Sequence, residues 1–164
     1  MKKSLVSMIF VLLLVGCATQ QERSEQREAM RKAVAEAVAM KKMHIDITTM
    51  NTLRYGSKAV TSVFFLELLG DTLRSYLPYL GQAYQAPIGT PAQGLNFDAP
   101  ILGLRESHPK THLSQLEIDV KSKEDTYLYV VELYDTGKAD IHVRSLHRDP
   151  ISFSGDFIPN YKYE

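Results

Sequence analysis

Two histidines with the spacing of a metal-binding pair stand in the second half of the chain. His108 and His112 are four residues apart, and on a helix this spacing would direct both imidazoles to one face. Pro109 lies between them, however, and predicts a loop that leads into a strand. No glutamate follows the first histidine, as it would in a helical zinc motif. We therefore expect no metal, and no other cofactor motif occurs.

Nucleophiles and general bases lack a local signature in this sequence. Ser154-Gly155 is not part of a Gly-x-Ser-x-Gly elbow, and no glycine-rich phosphate-binding loop is present. Four carboxylates fall in predicted strands and could pair for acid–base work, although solvent-exposed strand faces explain them better: Glu67, Glu117, Asp119 and Glu132. A site assembled from distant positions stays open, because triads are built by the fold and not by sequence order.

Tyrosines and amides are concentrated in a segment rich in proline and glycine, between Leu77 and Leu104. The candidate ligand-binding residues are Tyr79, Gln82, Tyr84 and Gln85. Long irregular segments are often functional, and tyrosine beside an amide can stack on and hydrogen-bond a sugar or a peptide. Alternatively, Pro78 and Gly81 form a turn and the rings cover an open end of a sheet. We favour this second interpretation and keep a weak glycan or peptide contact as the functional hypothesis.

The N-terminus has the layout of a secretory signal. Lys2 and Lys3 precede an apolar run from Leu5 to Val15. As a helix, this run is too short to cross a hydrocarbon core of about 30 Å. We therefore predict that residues 1–16 are a cleaved leader.

The single cysteine, Cys17, stands directly after this leader. Leu14-Val15-Gly16-Cys17 resembles the lipobox of bacterial lipoproteins. The resemblance implies that diacylglycerol is attached to the Cys17 thiol. Because Ala18–Arg27 is polar, we predict that residues 17–27 form a lipidated N-terminus and tether, although Thr19-Gln20-Gln21-Glu22 also fits a capping box that would start a helix early. Two or more acyl chains would hold the protein firmly, at about 0.8 kcal/mol per buried CH2. Ala18 after the cysteine favours the outer membrane by analogy with known sorting rules.

The hydrophobic periodicity predicts one helix followed by strands. From Glu28 to Met43, apolar residues recur at intervals of three and four, which is typical of a helix packed on its domain. The period then becomes two. The predicted strands are Ile45–Thr49, Val60–Leu69, Leu73–Leu77, Leu113–Val120, Tyr127–Tyr134, Ile141–Val143 and Ile151–Phe157. Gly70-Asp71 suits a type II′ hairpin turn, and the strand Tyr127–Tyr134, apolar on both faces, is expected to be central.

Short turns between these strands predict an antiparallel meander. The expected fold class is therefore α+β, with an N-terminal helix and a mostly antiparallel sheet in a single domain over residues 28–164. Hydrophobic residues make up 45% and charged residues 23% of the 164 residues, so the chain can bury a core. Its formal net charge is zero and it has no basic run, which excludes a typical nucleic-acid partner.

Several segments together resemble a known family. They are Gly70-Asp71, the run Leu77–Pro87 with its Leu-Pro-Tyr-x-Gly-x-Ala-Tyr pattern, Gly137-Lys138-Ala139 and Ile151–Gly155. This combination resembles the domain of unknown function 4251 family over Met43–Pro159. The resemblance implies a small lipid-anchored envelope protein with a mostly β fold. It implies no reaction and no catalytic residues.

Together these features predict an exported protein, anchored by lipid in the cell envelope, with a noncatalytic binding or assembly role. Its partners would be the membrane, through the anchor, and an envelope protein or a glycan. The alternative is an envelope hydrolase or glycan-processing enzyme with a dispersed active site. A third interpretation, an apolar lipid cavity inside the sheet, predicts a large dry pocket.

Overall fold

The computed structural model describes residues 2–82 and 94–163, with side chains described from Gln20 onward. In these ranges the chain forms one helix and nine strands. The elements are α1 (Lys2–Ala39), β1 (Lys42–Thr52), β2 (Gly56–Ala59), β3 (Phe65–Leu69), β4 (Thr72–Leu77), β5 (Leu95–Lys110), β6 (Leu113–Lys121), β7 (Thr126–Tyr134), β8 (Lys138–Ser145) and β9 (Ile151–Phe157).

The sheet closes on itself. Eight strands form a ring in the order β1-β3-β4-β5-β6-β7-β8-β9, with every neighbour antiparallel, and β9 returns to pair with β1. The short strand β2 continues along β1 beyond β3. The antiparallel order of the prediction is confirmed, but the open meander is wrong, because pairing of the first strand with the last makes a barrel. Closure pairs the outer edges of β1 and β9, which an open sheet would leave free.

Alternate side chains of each strand fill the barrel. On β7, Tyr127, Tyr129, Val131 and Leu133 are buried. β7 pairs with β6 on one side and with β8 on the other, so its predicted central position is confirmed. The residues between the buried ones, such as Leu128 and Val130, are half-buried on the outer wall. An eight-stranded barrel is just wide enough for its own side chains. In the described part of the chain, these side chains form one continuous core where the third interpretation placed a lipid cavity.

The helix α1 covers one end of the barrel. Val34, Ala37 and Val38 are buried in the core, and Met30 packs against Gly137 in the β7–β8 turn. The predicted helix is confirmed but ends earlier, at Ala39. Lys41 adopts a positive φ of 49° before β1 begins. Towards the N-terminus, α1 also includes the residues predicted as a tether, and residues 20–29 are exposed. Among the described residues, no helix is both long and apolar enough to cross a membrane.

Two ends of the barrel can now be distinguished. The helix end carries α1 and the turns at residues 70–71, 111–112 and 135–137. The open end carries the loops at residues 53–55, 78–82, 122–125 and 146–150. The predicted hairpin at the helix end is confirmed, since Leu69 pairs with Thr72 and Gly70 has a φ of 62°.

The main difference from the predicted elements is β5. It begins at Leu95 and runs to Lys110, so the expectations of an irregular segment to Leu104 and of a loop at Pro109 are wrong. Pro109 is tolerated because the β5–β6 register shifts between Ser107 and Lys110. The predicted strand Val60–Leu69 is also shorter, since β3 begins at Phe65.

Candidate functional site

The loops of the open end are tied together at Asp149. Its buried carboxylate accepts a hydrogen bond from Arg54 Nε at 3.0 Å and from the backbone N–H of Gln82 at 3.2 Å. The Asp149 N–H in turn donates to the Gln82 carbonyl at 3.0 Å. One side chain therefore connects the β1–β2, β4–β5 and β8–β9 loops.

The neighbouring Arg148 is buried and also joins three segments. Its Nη2 lies 2.5 Å from Glu124 Oε2, and its Nη1 donates to the Gly94 carbonyl at 3.2 Å. The guanidinium lies 5.3 Å from the centroid of the Tyr79 ring. A planar cation with several donors suits such a junction.

Two of the predicted ligand-binding residues belong to this junction. The Tyr79 hydroxyl shares its hydrogen between the carbonyls of Gln82 and Asp149, each at 3.1 Å. Gln82 contributes its backbone N–H and carbonyl to the junction, and the residue itself is exposed. Tyr84 and Gln85 lie outside the described residues. The described contacts of Tyr79 are those of a ring covering the barrel end, and ligand contact by these four residues stays a prediction.

A second polar cluster holds the β6–β7 turn against the β8–β9 loop. Asp125 accepts hydrogen bonds from Ser145 Oγ at 2.7 Å and from the Thr126 N–H at 2.7 Å, and His147 Nδ1 lies 3.0 Å from it. Burial alone would raise the pKa of Asp125, but these hydrogen bonds and the nearby imidazole bring the pKa below its ordinary value.

A cleft of about 660 Å³ opens beside the junction, between the first half of β5 and the β6–β7 turn. Phe97 and Tyr127 form its apolar floor, with their rings stacked at 5.4 Å and 14°. Lys121 and Lys123 line the opposite wall, and Leu102 is 64% exposed at the rim. An apolar floor with a few polar groups is typical of a binding site.

The floor is positioned by a buried hydrogen-bond chain. Ser75 Oγ donates a hydrogen bond to the Leu95 carbonyl at 2.6 Å. The Tyr129 hydroxyl lies 3.0 Å from Ser75 Oγ. Because the Ser75 hydroxyl already donates its hydrogen to Leu95, the Tyr129 hydroxyl donates its own hydrogen to Ser75 Oγ. Burial raises the pKa of Tyr129 and keeps the hydroxyl protonated. The start of β5 is thereby attached to the core.

The carboxylates of the cleft are already engaged. Asp98 lies 3.4 Å from Arg74 Nε, and Glu124 is paired with Arg148. In the described lining of the cleft there is no histidine beside either carboxylate. Both carboxylates of the cleft are therefore held in ion pairs.

A row of charges also crosses the outer wall and ends at Asp98 of the cleft. His44, Glu67, Arg74 and Asp98 lie opposite one another on β1, β3, β4 and β5. His44 Nδ1 is 2.8 Å from Glu67, which Arg74 Nη1 contacts at 3.0 Å. Tyr161 stacks on the His44 ring at 3.6 Å.

Glu67 is therefore only 3% exposed, and its prediction as a solvated residue is wrong. The C-terminal residues that cover it have no periodicity that could have revealed this contact. Burial, together with the charge of Glu67, also raises the pKa of Tyr163 to about 12. Since every charge in the row is paired, we assign the row to stability.

The histidine pair considered for metal binding has another arrangement. His108 lies on β5 and its Nε2 is 3.1 Å from Glu106, while His112 lies in the β5–β6 turn. Their spacing is thus not the spacing of a helical pair.

The fold and the site together define a small β-barrel protein with one end covered by a helix and a cleft at the other end. The model of the domain of unknown function family DUF4251 matches residues 25–157, and the chain belongs to this family. The fold is similar to the crystal structure of a DUF4251 family protein from Bacteroides eggerthii DSM 20697. The TM-score is 0.61 at 13% identity, over 80% of this chain and 88% of that one. A search of curated proteins gives no match.

Proposed function

We propose that this protein is a lipid-anchored component of the cell envelope that binds a partner, without catalysis, at the open end of its barrel. The observation that carries the proposal is the cleft between β5 and the β6–β7 turn, which combines an aromatic floor with a cationic wall.

The path of the chain supports this arrangement. The buried face of α1, with Val34, Ala37 and Val38, packs at the helix end, so the chain that leads back to Cys17 leaves from that end. An acyl anchor on Cys17 would hold the helix end towards the bilayer. The cleft would then face away from the membrane, towards partners in the envelope.

The alternative, a hydrolase or glycan-processing enzyme, needs a free acid–base pair. The cleft carboxylates Asp98 and Glu124 are ion-paired, and the His44–Glu67 pair lies beneath Tyr161. These contacts support a binding role. The leader sequence and Ala18 support export and outer-membrane attachment.

Metabolic labelling tests the anchor. Cells that express the full chain are grown with a labelled fatty acid, and the label is expected on the wild-type protein but not on Cys17→Ser. The variant should also accumulate with its leader uncleaved. Unlabelled wild-type protein, or normal maturation of the variant, would refute lipid anchoring.

Site-specific photocrosslinking in intact cells tests the binding surface. Leu102, at the rim of the cleft, and Met40, at the helix end, are each 64% exposed, so they make a matched pair of positions for a photoreactive residue. We expect one defined crosslinked complex from position 102 and not from position 40. Equal products from both positions, or a product from position 40 alone, would contradict the proposal.

A further inference from the structure

Among the described residues, one edge of the first half of β5 has no partner strand. Along Leu95–Pro100, β5 pairs with β4 on one side. On the other side, β6 pairs with β5 only from Ile101 onward. Within residues 2–82 and 94–163, no strand pairs with this side of Leu95–Ala99.

The direction of the backbone groups follows from one hydrogen bond. The Ile101 N–H donates to the Asp71 carbonyl at 2.9 Å, on the β4 side. Because the backbone groups of alternate residues point to the same side of an antiparallel strand, Phe97 and Ala99 also face β4. The N–H and C=O groups of Asn96 and Asp98 then face the cleft. Gly94, directly before β5, accepts a hydrogen bond from Arg148 through its carbonyl.

Two acidic and two basic residues line this edge, and only the basic ones have no ion-pair partner among the described residues. Lys121 and Lys123 are exposed across the cleft, and neither forms an ion pair with any described carboxylate. The nearby acids are engaged, Asp98 by Arg74 and Glu124 by Arg148. An incoming segment with carboxylate side chains would therefore be attracted and not repelled.

We propose that the open edge of β5, Leu95–Ala99, is a strand-addition site for an extended acidic peptide segment of a partner protein. This inference rests on the proposed binding function and names its partner class. Main-chain hydrogen bonds to Asn96 and Asp98 would supply affinity, and the two lysines would supply selectivity. Pro100, which has no N–H, limits the length of the added strand.

Amide hydrogen exchange of the full chain in detergent tests the open edge directly. The Asn96 and Asp98 N–H groups should exchange at least about 100-fold faster than those of Phe97 and Ala99, which are bound by β4. Equal protection of all four amides would show that the chain already covers this edge, and the proposal would fall.

Peptide titration followed by NMR tests the ligand class. The probes are an eight-residue peptide of alternating Glu and Thr and its Lys-Thr counterpart. We expect the acidic peptide alone to shift and protect the Asn96 and Asp98 amides. No effect at millimolar concentration, or an equal effect of the basic peptide, would overturn the proposal.

A proline substitution separates strand addition from side-chain binding. Asn96→Pro removes the cleft-facing N–H without breaking a hydrogen bond to β4. The control Asn96→Ala keeps this N–H and removes only the side-chain amide. Binding of the acidic peptide should weaken about tenfold in Asn96→Pro and stay within about twofold in Asn96→Ala. Equal binding by both variants would refute strand addition. If the crosslink from position 102 also persisted in Asn96→Pro, the binding function would stand without this mode of recognition.

Discussion

Glu67 and Glu117 both point outward from the barrel wall, yet the exposed fractions of their side chains are 3% and 35%. Glu67 is enclosed by His44, Arg74 and the stacked Tyr161 ring. Glu117 pairs with Arg105 at the surface. Burial decides how much stability is lost when an ion pair is broken. Removing one partner of a buried pair leaves the other charge unpaired and without contact to water.

We therefore expect Glu67→Gln to lower the free energy of unfolding by about 3 kcal/mol and the control Glu117→Gln by less than about 1 kcal/mol. Urea denaturation followed by circular dichroism measures both. Similar losses in the two variants would show that the Tyr161 cover does not exclude water from Glu67.

Asp125 should make the stability of the fold depend on pH. Its pKa is lowered in the folded protein from the ordinary value of 3.8. A group with a depressed folded pKa stabilises the fold above its unfolded pKa, and this contribution is lost as the pH falls through the folded pKa. The contribution should therefore be complete at neutral pH and decline below about pH 4.

Asp125→Asn should cost about 1 to 3 kcal/mol at pH 7, because the contacts with Ser145 and His147 are weakened. The difference from wild type should shrink on acidification. Unfolding curves between pH 7 and pH 3 test this, and a difference that is constant over the range would contradict the assignment.

The residues of the candidate site were only partly predictable. Tyr79 and Gln82 stood out by composition, and both belong to the open-end junction. Arg148 and Asp149 lie between the predicted strands Ile141–Val143 and Ile151–Phe157, where the sequence indicated no functional residue. Their burial depends on loops that approach from distant parts of the chain, so no local pattern revealed them.

At the scale of elements, closure of the barrel depends on a close approach of β9 to β1. A Cβ on Gly155 would lie 2.1 Å from the Asp46 carbonyl oxygen. The register of this pair also shifts between Ile47 and Thr49. Such backbone contact leaves no side chain that could move aside.

Gly155→Ala should therefore destabilise the protein by about 3 kcal/mol, or prevent folding, because β1 and β9 must separate. Gly103→Ala is the matched control, since its Cβ would meet only the flexible Asp119 carboxylate at 3.4 Å. Thermal unfolding of both variants tests the prediction, and a stable Gly155→Ala protein would contradict the observed β1–β9 contact.

Proline and glycine residues within β5 led the sequence to predict loops where the structure has one long strand. Pro100, Gly103 and Pro109 are typical of loops. In this barrel, Pro100 stands where pairing passes from β4 to β6, and register shifts occur after Ile101 and after Ser107. Proline and glycine are compatible with strands at such positions.

At the scale of the whole molecule, helix and barrel share one core. Val38 is buried in it, whereas Met40, two residues later, is exposed. The helix should therefore unfold together with the barrel and not separately.

Val38→Ala should lower the free energy of unfolding by about 2 kcal/mol, while Met40→Ala should leave it nearly unchanged. Far-ultraviolet circular dichroism and tyrosine fluorescence should give the same midpoint in each variant. Separate midpoints would show that α1 is an independent unit.

The sequence by itself determined the helix, most of the strands, the antiparallel order and the family. It also supplied the expectation of an anchor at Cys17. These features are local, because they follow from periodicity, turn residues and short motifs. The tertiary structure decided the closure of the barrel, the burial of Glu67 and Arg148, and the cleft beside β5. Each of these depends on contacts between residues far apart in the chain, and only the folded backbone determines which of them meet.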